Sequence, residues 1–88
     1  MLFVPGDRPE RFAKAEASGA DAVILDLEDA VMPENRPRAR TEIAAYLKAS
    51  ARAVPLWVRI NPADSDDALA DLSAVAASRP DGIMLPKA

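Results

Sequence analysis

The sequence predicts an α/β fold: the N-terminal half, β-α-β-α-β-α-β, of a TIM (β/α)8 barrel with parallel strands. Short β-prone apolar runs alternate with stretches of helical periodicity, with no linker or low-complexity segment between them, the pattern of parallel strands joined by right-handed crossovers. Matching strand positions recur about every 20 to 35 residues, as βα units do, although the segments do not resemble one another in sequence. Four strands do not close a barrel, and a chain that stops at Ala88, one residue after Leu85-Pro-Lys87, leaves an edge that a finished domain would cover. The expectation is a partial barrel domain over residues 1–88 of a protein of roughly 250 residues. In isolation such a chain is expected to aggregate, oligomerise or fold poorly.

Leu2-Phe-Val-Pro5 reads as the first strand, ended by Pro5-Gly6. Asp7-Arg-Pro-Glu10 reads as a helix start, with Asp7 the capping candidate, Glu10 three residues later and Pro9 in the first turn. The first helix, Glu10 to Ser18, carries Phe12, Ala13, Ala15 and Ala17 among charges, and Gly19 supplies its stop. The second strand lies in Ala22-Val-Ile-Leu-Asp-Leu-Glu-Asp-Ala-Val31 and runs into three carboxylates, Asp26, Glu28 and Asp29. Pro33 to Ser50 is the second helix, with Ala39, Ile43 and Leu47 at four-residue spacing and Ala44 beside them. Its Arg36, Arg38 and Arg40 read as a solvated face. Pro55-Leu-Trp-Val-Arg-Ile-Asn-Pro62 is the third strand. Asp66 to Ser78 is the third helix, with Ala68, Leu69, Leu72, Val75 and Ala76 on one face, and Pro80-Asp-Gly turns the chain into a fourth strand, Gly82 to Lys87.

Composition narrows the chemistry. The chain has no cysteine and no histidine, so disulfides, zinc-thiolate sites and Ser-His or Cys-His catalysis are excluded within it, and any metal would be held by oxygen, favouring Mg²⁺, Mn²⁺ or Ca²⁺. A net charge of −3 offers no basic footprint, which argues against nucleic acid or an acidic membrane surface as partner. No apolar run approaches the roughly 20 residues of a membrane span, and the N-terminus lacks the pattern of a signal peptide. A cytoplasmic protein is expected.

Strand alternation places a candidate site. Val23, Leu25 and Leu27 share one side of the second strand and Ile24, Asp26 and Glu28 the other; in the third, Leu56, Val58 and Ile60 oppose Trp57, Arg59 and Asn61. Each strand thus has one wholly aliphatic side, assigned to the helices. Asp26, Glu28, Arg59 and Asn61 are left facing the opposite way near the C-terminal strand ends, where Lys87 also lies and where α/β folds bind ligands.

Leu2-Phe-Val-Pro-Gly-Asp-Arg-Pro-Glu-Arg11, Gly19-Ala-Asp-Ala-Val-Ile-Leu-Asp-Leu-Glu-Asp-Ala-Val31, Val58-Arg-Ile-Asn61 and Leu85-Pro-Lys87 together resemble the citrate lyase beta chain and malyl-CoA lyase family, within a wider HpcH/HpaI aldolase-like group. The resemblance runs nearly end to end, with the four motifs in order. It implies a Mg²⁺-dependent TIM barrel (Mn²⁺ as substitute), usually a homo-oligomer, that cleaves or forms a carbon-carbon bond between an acyl-CoA and a 2-oxo acid or ketone. Arg59 matches the family arginine that binds the oxo acid carboxylate. Glu28 and Asp29 match acidic positions that hold metal-bound water, the direct ligands being a Glu and an Asp on later strands, expected beyond Ala88. Phe3, Arg8 and Lys14 match positions lining the CoA nucleotide site, and Lys87 matches a strand-end lysine close to the pocket, where Asn61 also belongs.

The residue types suit that chemistry. Carboxylates such as Glu28 and Asp29 can accept hydrogen bonds from waters that Mg²⁺ retains, and the planar fork of Arg59 binds a carboxylate bidentately. The competing readings are a solvated turn or helix cap for Glu28 and Asp29, a structural ion pair of Arg59 with Asp26 or Glu28 that could coexist with ligand binding, and ordinary surface charge for Arg8 and Lys14. For the whole protein they are a CoA-independent 2-keto-3-hydroxy acid aldolase and a non-catalytic assembly fragment.

Overall fold

The computed structural model describes residues 2–28, 31–50, 54–62 and 65–85. Four strands, β1 (Leu2–Pro5), β2 (Val23–Asp26), β3 (Leu56–Arg59) and β4 (Gly82–Met84), alternate with three helices, α1 (Phe12–Glu16), α2 (Arg36–Ala49) and α3 (Asp66–Ala76). The strands form one parallel sheet in the order β1-β2-β3-β4. Sequential order means that each crossover steps one strand further in the same direction, as in a barrel wall; a doubly wound sheet reverses direction at a switch point.

The core lies on one face only. Val23, Leu25 and Leu27 with Leu56, Val58 and Ile60 pack against Phe12 and Ala15 of α1, Ala39, Ile43 and Leu47 of α2, and Val75 of α3. This is the aliphatic side assigned from alternation, and its helices leave the opposite face to become a barrel interior. Each fully buried Val, Leu, Ile or Phe side chain contributes about 1.5–3 kcal/mol, against about 0–1 kcal/mol for an exposed ion pair, so this layer sets the fold. Leu27 and Ile60 stay fully buried although they lie just past the ends of β2 and β3, and their backbone N–H groups still donate across the sheet, to the Arg59 carbonyl at 2.9 Å and the Met84 carbonyl at 3.1 Å.

Helix ends follow local chemistry. Pro9–Arg11 and Pro33–Asn35 are 3-10 turns leading into α1 and α2, so both helices start later than the periodicity suggests; a proline fits the tight first turn, where its missing N–H is no loss. Gly19 has φ +91°, the left-handed conformation that glycine adopts without strain after a helix. Ser65 caps α3 by accepting from Ala68 N at 3.2 Å, and Asp66 and Asp67 occupy its first turn, where the helix dipole favours negative charge. Asp7 caps nothing; it is buried, and its Oδ2 accepts from Asn35 Nδ2 at 3.1 Å.

Two expectations are overturned together. The buried face of α3 is Ala68, Asp71 and Val75, while Leu69 is 73% exposed and Leu72 41%. Two of the three arginines of α2 are not on a solvated face: Arg36 Nη1 meets Asp67 Oδ2 at 2.8 Å, and Arg40 meets Asp67 Oδ1 at 2.5 Å and Asp71 Oδ1 at 2.7 Å, while Arg38 is exposed as expected and donates from Nη2 to the Asp7 carbonyl at 3.1 Å. The reason is Asp71, which is fully buried and rotates α3 so that its charge meets Arg40. Burial works against the Arg40 charge, but Asp71 and Asp67 outweigh it and hold the guanidinium pKa above its ordinary value. Burial likewise opposes the Asp67 charge, and Arg40 and Arg36 prevail, holding the carboxyl below the usual range. Among the described residues no helix is long and apolar enough to cross a membrane.

Candidate functional site

On the face away from the helices, strand register sets side chains in rows. Phe3, Ile24, Trp57 and Gly82 are register neighbours across the sheet, and nearer the C-terminal edge Pro5, Asp26, Arg59 and Met84 form the next row. Ile24 is fully buried in the lower row. The Trp57 ring lies against Gly82 so closely that a Cβ there would sit 2.4 Å from it; only glycine fits beside that indole.

The upper row carries the charge. Arg59 donates from Nε to Asp26 Oδ1 at 2.9 Å and from Nη2 to Asp26 Oδ2 at 2.7 Å, a bidentate pair across adjacent strands. Asp26 Oδ1 also accepts from the Glu28 backbone N–H at 2.9 Å. Glu28 Oε1 lies 3.6 Å from Arg59 Nε, and the Phe3 ring lies beneath the guanidinium, with Cζ 4.8 Å from its centroid, a cation-π contact. The side chains of Asp26, Glu28 and Arg59 are 1%, 16% and 20% exposed. Asp26 is therefore a buried anchor, while Glu28 and Arg59 reach the rim. The structural ion pair weighed for Arg59 is present, and it uses the Nε–Nη2 edge of the fork.

The β1 end closes against the same row. Gly6 N donates to the Asp26 carbonyl at 2.8 Å, and a Cβ on Gly6 would lie 2.7 Å from that oxygen and 2.8 Å from Ile43 Cδ1. Glycine is required for so close an approach.

The remaining predicted site residues divide. Phe3 and Lys14 line, with Arg11 and Ser18, a concavity of about 390 Å³ beside β1. Arg8 is exposed and is not part of that lining. Asn61 does not share the inward side with Arg59. It is buried, its Nδ2 donates to the Leu27 carbonyl at 2.9 Å and to Asp71 Oδ2 at 2.8 Å, and its backbone N–H donates to the same Asp71 oxygen at 2.8 Å. Strand alternation ends with β3 at Arg59, and the buried acid of α3 then captures Asn61 from the helix side. Asp29 and Lys87 lie outside the described residues, as does Ala88, beyond which the direct metal ligands are expected.

Among the described residues no group of three or more acidic side chains could hold a metal ion. Asp26 is bound to Arg59 through both carboxylate oxygens, and Glu28 lies at the rim with Oε1 3.6 Å from Arg59 Nε, an arrangement that fits hydrogen bonding to metal-bound water.

Asp71 is the residue that sequence reasoning passes over. Its signal is present: Ala68, Asp71 and Val75 share the spacing of a buried stripe with one acid in it, and Arg36 and Arg40 repeat at the same spacing one helix earlier.

The sequence model of the HpcH/HpaI aldolase/citrate lyase family matches residues 1–88. A citrate lyase subunit beta-like protein of Mycobacterium tuberculosis is 48% identical over 87 residues, covering 99% of this chain and 30% of the relative. A (3S)-malyl-CoA thioesterase of Cereibacter sphaeroides is 37% identical over 92 residues, covering 99% and 31%. The structure of protein CitE from Mycobacterium tuberculosis in complex with magnesium, acetoacetate and coenzyme A matches with a TM-score of 0.79 at 44% identity, covering 99% of this chain and 31% of that one. The chain thus spans about 30% of the length of the curated relatives it matches. A parallel sheet with helices on one face, an acid-arginine row at its C-terminal edge and a match along the whole chain lead to one conclusion: the chain belongs to the HpcH/HpaI aldolase/citrate lyase family.

Proposed function

We propose that the whole protein carrying this chain is a Mg²⁺-dependent carbon-carbon lyase that cleaves or forms a 3-hydroxyacyl-CoA of the citryl-, malyl- or citramalyl-CoA kind. The observation that supports this best is Arg59, held at the sheet edge by Asp26 and Phe3 with Glu28 beside it. Bond cleavage next to a thioester develops charge on oxygen, and a divalent cation supplies electrostatic stabilisation there. Its inner ligands would come from outside these residues, beyond Ala88. Glu28, and in the same reading Asp29, accept hydrogen bonds from its waters and fix its position. Arg59 binds the carboxylate of the oxo acid fragment, with Asp26 fixing the plane of the fork. Phe3 and Lys14 border the concavity beside β1, and with Arg8 they are assigned to the CoA nucleotide; Lys87 is assigned to the pocket. The solved relative that carries magnesium, acetoacetate and coenzyme A together supports the ligand set. The same reading has the protein cytoplasmic and homo-oligomeric, which cell fractionation and light scattering test.

The test uses the full-length protein with malyl-, citramalyl- and citryl-CoA, following release of oxo acid and of free CoA separately. Oxo acid release that stops with EDTA and returns with Mg²⁺ is expected. Arg59→Lys replaces a fork by a point charge, a loss of about 1.5–3 kcal/mol for a hydrogen bond to a charged group, and so should lower kcat/KM by about 10- to 100-fold. No detectable CoA binding would overturn the reading in favour of a CoA-independent aldolase. Free CoA without oxo acid would mean thioester hydrolysis, the reaction in the name of the thioesterase relative.

A further inference from the structure

The peptide between Leu27 and Glu28 is held at both polar ends. Its N–H, on Glu28, donates to Asp26 Oδ1 at 2.9 Å, and its C=O, on Leu27, accepts from Asn61 Nδ2 at 2.9 Å. One clamp comes from the acid-arginine row. The other comes from the far side of the sheet, where Asn61 is bound twice by Asp71 of α3.

Asp71 decides what Asn61 can do. An amide has one oxygen and one NH₂ and could be turned either way round. With Asp71 Oδ2 2.8 Å from Nδ2, only the N–H side can face both the carboxylate and the Leu27 carbonyl; the flipped amide would set oxygen against two acceptors. The Asn61 Oδ1 is buried with no hydrogen-bond partner among the described residues, which shows that this orientation is imposed by the donor side. Asp71 is itself fully buried, and its other carboxylate oxygen, Oδ1, accepts from Arg40 Nε at 2.7 Å.

We infer that Asp71 is a positioning residue for Glu28: through Asn61 it fixes the Leu27–Glu28 peptide and thereby aims the Glu28 carboxylate. This rests on the reading of Glu28 as an acceptor for metal-bound water. It gives the buried acid of α3 a defined effect at the rim.

The experiment is calorimetric titration of Mg²⁺ into the full-length protein stripped of metal, for wild type, Glu28→Gln, Asp71→Asn, Asn61→Ser and the Glu28→Gln/Asp71→Asn double variant, each checked for folding by thermal melting. Removing a group that orients a metal site typically weakens metal binding by about 10- to 100-fold, and each single variant should lie near the lower end of that range. The double variant should bind Mg²⁺ as Glu28→Gln does, because Asp71 acts only through Glu28. Asn61→Ser keeps the backbone bond to Asp71 and the Asp71–Arg40 pair while cutting the link to Leu27, so it decides the matter if Asp71→Asn does not fold. Wild-type Mg²⁺ affinity in folded Asn61→Ser, or a full further loss when Asp71→Asn is added to Glu28→Gln, overturns the inference and leaves the reading of Glu28 intact. Unchanged affinity in Glu28→Gln overturns that reading, and the inference with it.

Discussion

Removing either partner of the Asp26–Arg59 pair should destabilise the protein, and by unequal amounts. The asymmetry follows from burial: Asp26 is 1% exposed and Arg59 20%. In Asp26→Asn the amide oxygen can take over both bonds made by Oδ1, to Arg59 Nε and to Glu28 N, so what is lost is the 2.7 Å bond from Nη2 and the charge compensation. A hydrogen bond between charged groups is worth about 1.5–3 kcal/mol, and water at the rim can partly serve the arginine, so the expected loss is about 2 kcal/mol. Arg59→Met instead leaves a carboxylate with almost no access to water, where breaking a buried pair costs about 3–5 kcal/mol. The double variant should be more stable than Arg59→Met alone by about 1 kcal/mol, because a coupling of about 3 kcal/mol, at the upper end of the range for residues in contact, exceeds the loss from Asp26→Asn. Guanidinium denaturation of the four full-length proteins measures all of these values. Additive effects, or an Asp26→Asn loss equal to that of Arg59→Met, would refute the view that the buried carboxylate is the anchor and the arginine its exposed arm.

Gly82→Ala should cost about 1–3 kcal/mol, the range for overpacking, because its Cβ would sit 2.4 Å from the Trp57 ring; Trp57→Leu in the same background should recover part of that loss, and its failure to do so would dismiss the contact. Tyr46 donates to Glu16 and lies edge-on to Phe12; burial first, and then Glu16, pushes its pKa up to about 12 from 10.0. The folded state therefore holds the phenol proton longer than the unfolded chain, so the contribution is complete below pH 10 and is lost as pH rises towards 12. Difference absorbance against Tyr46→Phe should show that late ionisation, and a midpoint near 10 would contradict it. The Asp67 carboxyl is depressed below 3.8, so its contribution is present above that pH and fades as pH falls further. The stability gap between wild type and Arg40→Met should accordingly shrink in acid, and a gap independent of pH would argue against the ion-pair network.

Much of the fold is legible in period-two alternation. The aliphatic sides of β2 and β3 pack on the helices as expected, and Asp26 is the partner of Arg59 that the inward side offers. Alternation says nothing once a strand ends, which is why it assigns Asn61 to the wrong side. Helical periodicity misreads α3 because it ranks Leu above Asp for burial, and a single buried acid paired to Arg40 outweighs two leucines. Arg36 and Arg40 of α2 are misjudged for the same reason: their partners lie about thirty residues away on α3, and no local pattern reports a long-range ion pair. The two 3-10 turns follow from prolines that periodicity counts as helix starters.

The stack of Trp57 upon Gly82 has a geometric consequence. That row lies two residues below Arg59 along the same strand, a rise of about 6.6 Å, and with Ile24 fully buried in it the row is packed beneath the Asp26–Arg59 pair. At the β1 end of that row Phe3 stays 46% exposed, so the row is closed in its middle, under Asp26, and open towards β1.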